Sequence, residues 1–190
     1  MSGQKYAQLP EQKYLLQRLE LHPCGRLVWR AQPHLPWWNG KFAGKTAFTR
    51  INGDGYRCGK IDRTFYFAHR VIWKMVHGYD PDVIDHINRD RADNRPENLR
   101  SCTHAENSRN CRMKVGKSSI YRGVSWDARE AKWRAQISNG KRSKIGLGLH
   151  RLEIDAAFAY DDAAARLHGV FATLNFSDDI RSTLKETDHG

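Results

Sequence analysis

Between residues 83 and 107 the chain reads VIDHINRDRADNRPENLRSCTHAEN, with Asp85 and His86 side by side after a short apolar run and asparagines at 94, 98 and 107. A carboxylate and an amide oxygen are hard donors that suit Mg²⁺ or Mn²⁺. Asp85 and Asn107 together would therefore hold a cation and leave positions for water and a phosphate oxygen. An imidazole, with an unperturbed pKa of about 6.5, takes a proton from water near neutral pH, and His86 would play that part. A divalent ion would stabilise charge on the phosphorane and the departing oxygen. The residue types therefore suit phosphodiester cleavage. Turn chemistry is the plainer alternative, because Asp and Asn satisfy backbone groups locally, and composition alone leaves both open.

The elements that must position these residues can be read outward from them. Val83–Asp85 reads as a strand presenting Asp85 and His86 on opposite faces, followed by a polar loop and a second strand, LRSC. Thr103 to Glu106 has the T-x-x-E spacing of a capping box, which predicts a helix with Asn107 in its first turns. Strand, loop, strand and helix would bring Asp85, His86 and Asn107 to one point. Upstream, YLLQRLELHPCGRLVW reads as a strand pair, QPHLPWWNGKFAGK as a loop, and GYRCGKIDRTFYFAHR as a hairpin turning near 61–63. HRVIWKMVHG predicts a helix with Ile72, Met75 and Val76 on one face and Gly78 at its end.

Downstream, RMKVGKSS lacks apolar periodicity and reads as a linker, with the domain boundary near Lys117. YRGVSWD, KWRAQIS and KIGLGLH predict a three-stranded meander with a turn at Asn139-Gly140. In LEIDAAFAYDDAAARLHG a helix is expected, with Ala156, Tyr160, Ala163 and Leu167 on one face and Gly169 near the C-cap. Residues 177–190 read as a frayed tail.

Composition points to an anionic partner. The 190 residues carry a formal net charge of +11, and 39% are hydrophobic, enough to bury a core. Nucleic acid is favoured over membrane, because no basic amphipathic helix with a lipid-facing side is present. The charge is uneven: residues 118–150 hold seven Lys/Arg against two Asp/Glu, whereas 151–176 hold two against four. One face for a polyanion and another turned away from it follow from that split. No apolar N-terminal segment or membrane-length run occurs, so a soluble intracellular protein is expected. The four cysteines are widely spaced with no C-x-x-C, so neither a zinc knuckle nor a disulfide framework is indicated.

The Asp-His segment resembles the HNH endonuclease motif, the ββα-metal fold, in the form found in phage and intron-encoded homing nucleases. AHRVIWKMVHG before it and GRLVW further upstream extend the resemblance over most of residues 13–110. It implies His86 as general base, Asp85 and Asn107 as metal ligands, and Asn98 as the asparagine that braces the loop and orients the histidine. Asn94 falls on another recurrent asparagine, to which turn stabilisation is assigned. His69 matches a histidine before the preceding helix, as a structural or a phosphate-contacting group. Asparagine in place of histidine at position 107 tilts the site toward Mg²⁺ and away from Zn²⁺.

Residues 121–176 resemble the plant APETALA2/ethylene-response-factor DNA-binding domain, through YRGV, KWRAQI, LG, AAFAYDDAA and LNF. That resemblance implies a basic sheet laid in the major groove with a helix behind it. Arg122, Lys132, Arg134 and Lys144 would reach phosphates or base edges, Gln136 would pair with adenine, and Trp126 would pack on sugar or thymine methyl groups. Ser125, Asp127, Gly146 and Leu152 depart from the plant pattern, so the plant recognition sequence does not carry over.

The expectation is an α+β chain of two small domains. Residues 1–112 form a ββα-metal nuclease, 113–117 a linker, 118–176 the sheet-and-helix DNA-binding module, and 177–190 a tail. The implied activity is Mg²⁺- or Mn²⁺-dependent hydrolysis of double-stranded DNA by a monomer or homodimer. No membrane or protein partner is indicated, and the expected setting is the cytoplasm, that of a host cell if the protein is phage-encoded. The alternative is a DNA-binding regulator or architectural protein with an inactive nuclease domain.

Overall fold

The segment Gln12–Arg18 is made mostly of straight-chain residues that lose little side-chain freedom in a helix, and it forms helix α1 rather than the expected strand. One residue of it, Leu15, is fully buried, which is why no apolar period was visible. Strands β1 (Leu19–Leu21), β2 (Leu27–Trp29) and β3 (Thr46–Ala47) make a first antiparallel sheet. Between β2 and β3 the expected loop holds a short helix, α2 (Pro36–Phe42), with proline in its first turn, where the missing N–H costs nothing. Trp38 packs edge-on against Trp29 at 5.5 Å.

This computed structural model describes residues 7–110, 118–139, 143–177 and 180. The expected linker 113–117, Gly140 of the expected turn and most of the tail 177–190 lie outside the described residues. Antiparallel sheets and helices mix along the chain as an α+β fold. The chain divides into two compact units, Met1–Thr103 and His104–Gly190.

In the first unit, strands β4 (Arg50–Ile51), β5 (Arg57–Ile61) and β6 (Thr64–Phe67) form a second sheet. Asp62 and Arg63 both take positive φ in the β5–β6 connection, the two-residue turn whose twist matches paired strands. Helix α3 (Ala68–His77) follows, and Gly78 ends it in the left-handed region at φ 81°. Its buried face is Ala68, Val71, Ile72 and Met75; Val76, expected on that face, is exposed. Leu15, Leu19, Leu27, Val71 and Ile72 make the centre of this unit's core. Gln12 Nε2 donates to the Met75 carbonyl at 2.8 Å, so α1 satisfies one of the open carbonyls at the end of α3.

Arg70 of α3 clasps the next connection, donating to the Pro81 carbonyl at 2.7 Å and pairing with Asp80. That connection delivers β7 (Val83–His86), which pairs antiparallel with β8 (Leu99–Cys102) in the register Asp85 opposite Arg100 and His86 opposite Leu99. Both strands fall where they were expected.

The second unit opens with helix α4 (His104–Arg109), directly after Thr103. Strands β9 (Val124–Asp127), β10 (Lys132–Ser138) and β11 (Lys144–His150) form the expected meander. The β10–β11 register slips by one residue between Arg134 and Gln136, with Gly148 of β11 at φ 109°. Helix α5 (Glu153–His168) packs Ala156, Ala157, Tyr160, Ala163 and Ala164 inward, whereas Leu167 is exposed. Leu152 offers no capping side chain, and Glu153 and Asp155 in the first turn favour the helix through its dipole instead.

The motif residues of this unit are joined by one buried carboxylate. Asp161, fully buried on α5, accepts from the backbone N–H of Asn175 at 2.8 Å and of Phe176 at 3.0 Å. Asn175 in turn accepts from the Arg122 N–H at 2.6 Å. At Gly123, φ is 75° and a Cβ would sit 1.9 Å from the Tyr160 ring, so glycine is required there. YRG, YDD and LNF are thus three sides of one clasp.

Candidate active site

Asp85 and His86 are both buried at the end of β7. Arg100, opposite Asp85 across the strand pair, donates to Asp85 Oδ2 from Nε at 2.8 Å and from Nη2 at 2.7 Å. His86 Nε2 stands 3.0 Å from Asn94 Oδ1. With the amide oxygen as acceptor, the proton sits on Nε2 and the lone pair on Nδ1. Burial pushes the His86 pKa below its ordinary value; the Asn94 bond and the charges of Asp85, Asp90 and Asp93 oppose that shift.

The asparagines divide differently from expectation. Asn94, assigned to the turn, is buried and carries the histidine contact. Asn98 makes no hydrogen bond to His86: its side chain accepts from Asn88 N–H at 3.0 Å and donates to Asn88 Oδ1 at 3.0 Å and to the Asp93 carbonyl at 2.7 Å. Asn98 therefore braces the loop and Asn94 orients the histidine. Spacing cannot distinguish the two, because only the path of the loop decides which asparagine folds back. The remaining Asn and Asp side chains do turn work. Asn88 accepts from Asp90 N–H, Asp90 from Ala92 N–H, and Asp93 is held by Arg95, which keeps its carboxyl at about 2.

His69, at the start of α3, is buried among rings: Tyr56 at 5.0 Å, Phe67 at 5.6 Å and His86 at 5.3 Å. Its Nδ1 has no hydrogen-bond partner. Burial, with His86 and Arg70 nearby, lowers its pKa to about 3, which keeps the ring neutral near pH 7.

Two upstream segments hold the loop and were not found in the sequence. Gly25, in the β1–β2 turn at φ 77°, lies so close that a Cβ would come within 2.4 Å of Arg95 N and 2.5 Å of the Asn94 carbonyl carbon. From the β4–β5 connection, Asp54 O accepts from Arg91 at 3.0 Å, and Arg57 at the start of β5 donates to Ala92 O at 3.2 Å. Arg91 also lies 4.9 Å over the Tyr56 ring. The glycine of HPCG was the available signal: a positive-φ residue marks a turn, though not what the turn presses against.

Asn107 stands on α4, in the second unit, and is not among the residues that the first unit gathers. Among the described residues no three His, Cys, Asp or Glu side chains cluster closely enough to hold a metal ion. A closed zinc site needs three or four such ligands. Mg²⁺ keeps several waters and uses one or two carboxylates plus substrate phosphates, and one buried carboxylate beside an imidazole fits that pattern.

In the second unit, Arg122, Gln136 and Lys144 line one cleft of about 430 Å³, together with Ser125, Ser138 and Tyr160. Trp126 is exposed and meets Trp133 at 5.1 Å; Trp133 is half-buried on the core side. Arg134 is exposed but paired with Asp127, while Lys132 is half-buried on the same strand. Tyr160 is buried, which raises its pKa, and the neighbouring Arg122 opposes that shift.

Residues 66–109 match the family model described as HNH endonuclease. That segment, which contains Asp85, His86, Asn94, Asn98 and Asn107, is thus of HNH type, and the match supports nuclease activity with DNA as the implied substrate. The chain is also 29% identical over 118 residues to Protein 3.8 of Escherichia phage T7, covering 60% of this chain and 96% of that protein. Among the described residues no helix is long and apolar enough to cross a membrane.

Proposed function

We propose that the chain is a homing-type DNA endonuclease that hydrolyses phosphodiester bonds with Mg²⁺ or Mn²⁺. Residues 1–112 would cut, 113–117 link, and 118–176 bind the duplex. The observation that carries this reading is the histidine: His86 is buried, its Nε2 is fixed by Asn94, and it neighbours a buried carboxylate inside an HNH-type segment. His86 takes the proton of the attacking water on Nδ1, the nitrogen opposite the one that Asn94 holds. Asp85 and Asn107 would hold the ion, which supplies charge stabilisation for the departing oxygen. Asn98 keeps the loop in shape, and His69 backs the imidazole.

The APETALA2-like resemblance supports the sheet β9–β11 as the DNA-binding surface, with Arg122, Gln136 and Lys144 in its cleft and Trp126, Lys132 and Arg134 beside it. Tethering raises the local concentration of target, so modest specificity in each unit multiplies. The similarity to a phage protein supports action in the cytoplasm of an infected cell.

One observation favours a second reading, a DNA-binding regulator with an inactive nuclease: Arg100 already neutralises Asp85. Plasmid nicking assays separate the two. Cleavage with Mg²⁺ or Mn²⁺ that disappears in His86→Ala and Asp85→Ala supports the enzyme. Salt-sensitive binding without cleavage in any divalent metal refutes it.

A further inference from the structure

We propose that Arg100 is a resident cation of the metal site, holding Asp85 in the protein without DNA and giving it up when substrate phosphate arrives, so that ion loading is coupled to DNA binding. The inference rests on the nuclease reading above. Its basis is the Asp85–Arg100 pair itself: two donors on one carboxylate oxygen at 2.7 and 2.8 Å, from residues directly opposite each other in the β7–β8 register. Asp85 is 5% exposed. A carboxylate that deep requires a positive partner, since an unpaired buried charge is strongly unfavourable. A guanidinium meets that need without a metal, and it competes with any ion for the same oxygen.

Competition has a direction. In the absence of DNA an incoming divalent ion competes at Asp85 Oδ2 with two charge-assisted donors, so ion affinity is lowered. A duplex brings phosphate oxygens, the other anion that a guanidinium fork matches well. Phosphate thereby competes for Arg100 and releases Asp85 to the ion. Linkage requires the converse, that the ion also tightens DNA binding. Arg100 is accordingly a positioning residue, acting through Asp85.

The test measures Mn²⁺ binding by electron paramagnetic resonance of the free ion, using the full chain in a His86→Ala background that leaves DNA intact. Without DNA, Arg100→Gln is expected to bind Mn²⁺ at least tenfold more tightly than the same protein with Arg100. Adding a short duplex should tighten Mn²⁺ binding when Arg100 is present and change it little in Arg100→Gln. Arg100→Lys keeps a charge but loses the fork and should fall between the two. Thermal melts give a second reading if Arg100→Gln is poorly folded without metal: Mn²⁺ should raise its melting temperature more than it raises that of the parent. Equal or weaker Mn²⁺ binding in both Arg100 variants overturns the inference. If the unmodified protein cuts DNA with Mn²⁺ and that result is obtained, the nuclease reading survives alone. If the unmodified protein neither binds Mn²⁺ nor cuts, both fall.

Discussion

The loop between β7 and β8 and the sheet β9–β11 place polar side chains in opposite ways. At the end of β7 and in the loop that follows, Asp85, His86, Asn94 and Asn98 are buried and hydrogen-bonded. On the sheet, Trp126, Arg134 and Lys144 are exposed. Proton transfer needs a fixed geometry and a controlled pKa, which burial supplies. Contact with a long polyanion needs reach and charge, which burial would remove. The difference predicts that changes in the loop alter rate and stability, while changes on the sheet alter affinity and its salt dependence.

The strongest attempt to break that division is His86→Ala. Removing the base should lower plasmid cleavage by about 10²–10⁴-fold and leave duplex affinity nearly unchanged in a gel-shift assay. A parallel loss of binding would show that the loop also holds DNA. Acidification tests the loop again. The pKa of His69 is about 3 in the folded protein against an ordinary 6.5, so the unfolded chain binds the extra proton first. Its contribution is fully present above pH 6.5 and is lost as pH falls toward 3. Denaturant titrations at pH 7 and pH 4 should differ on the order of a few kcal/mol from this group, at about 1.4 kcal/mol per pKa unit. His69→Phe, which stays neutral, should flatten that difference.

Gly25→Ala should cost about 2 kcal/mol or more, because a positive-φ alanine is strained and its Cβ meets backbone rather than a yielding side chain. Chemical denaturation measures that cost, and cleavage should fall with no change in gel-shift affinity. Asn94→Ala removes a bond that raises the His86 pKa, so the acid limb of the pH–rate profile should move further below 6.5. Losing one buried hydrogen bond, about 1–3 kcal/mol, corresponds to roughly a ten- to hundredfold slower rate. The smallest change belongs to the sheet: Lys144→Ala should lower the slope of log affinity against log salt by about 1 and leave cleavage at saturating protein intact.

Much of this was legible in the chain. Strands with regular alternation or paired turn signals, such as VIDH with LRSC and the KWRAQIS meander, fell where their residues indicated. Helix α1 did not, because seven residues with one fully buried leucine carry no period. The resemblance pointed to His86, but that Asn94 rather than Asn98 meets its ring arises from a loop with no repeat to read. Arg100 lay within reach of reasoning: once VIDH is paired with LRSC, Asp85 and Arg100 are opposite each other.

The approach of Gly25 to the Asn94 backbone bears on where this chain can be cut and still keep the loop's shape. The family match begins at Tyr66, yet the peptide that presses on the histidine's partner lies some forty residues earlier, and Tyr56 and Arg57 are also upstream of the match. Excised at the edges of the motif, the loop would keep every residue named for catalysis and lose the wall that shapes it. The smallest piece that keeps the loop in shape is therefore set by that wall, and it starts well before the first residue of the HNH-type match.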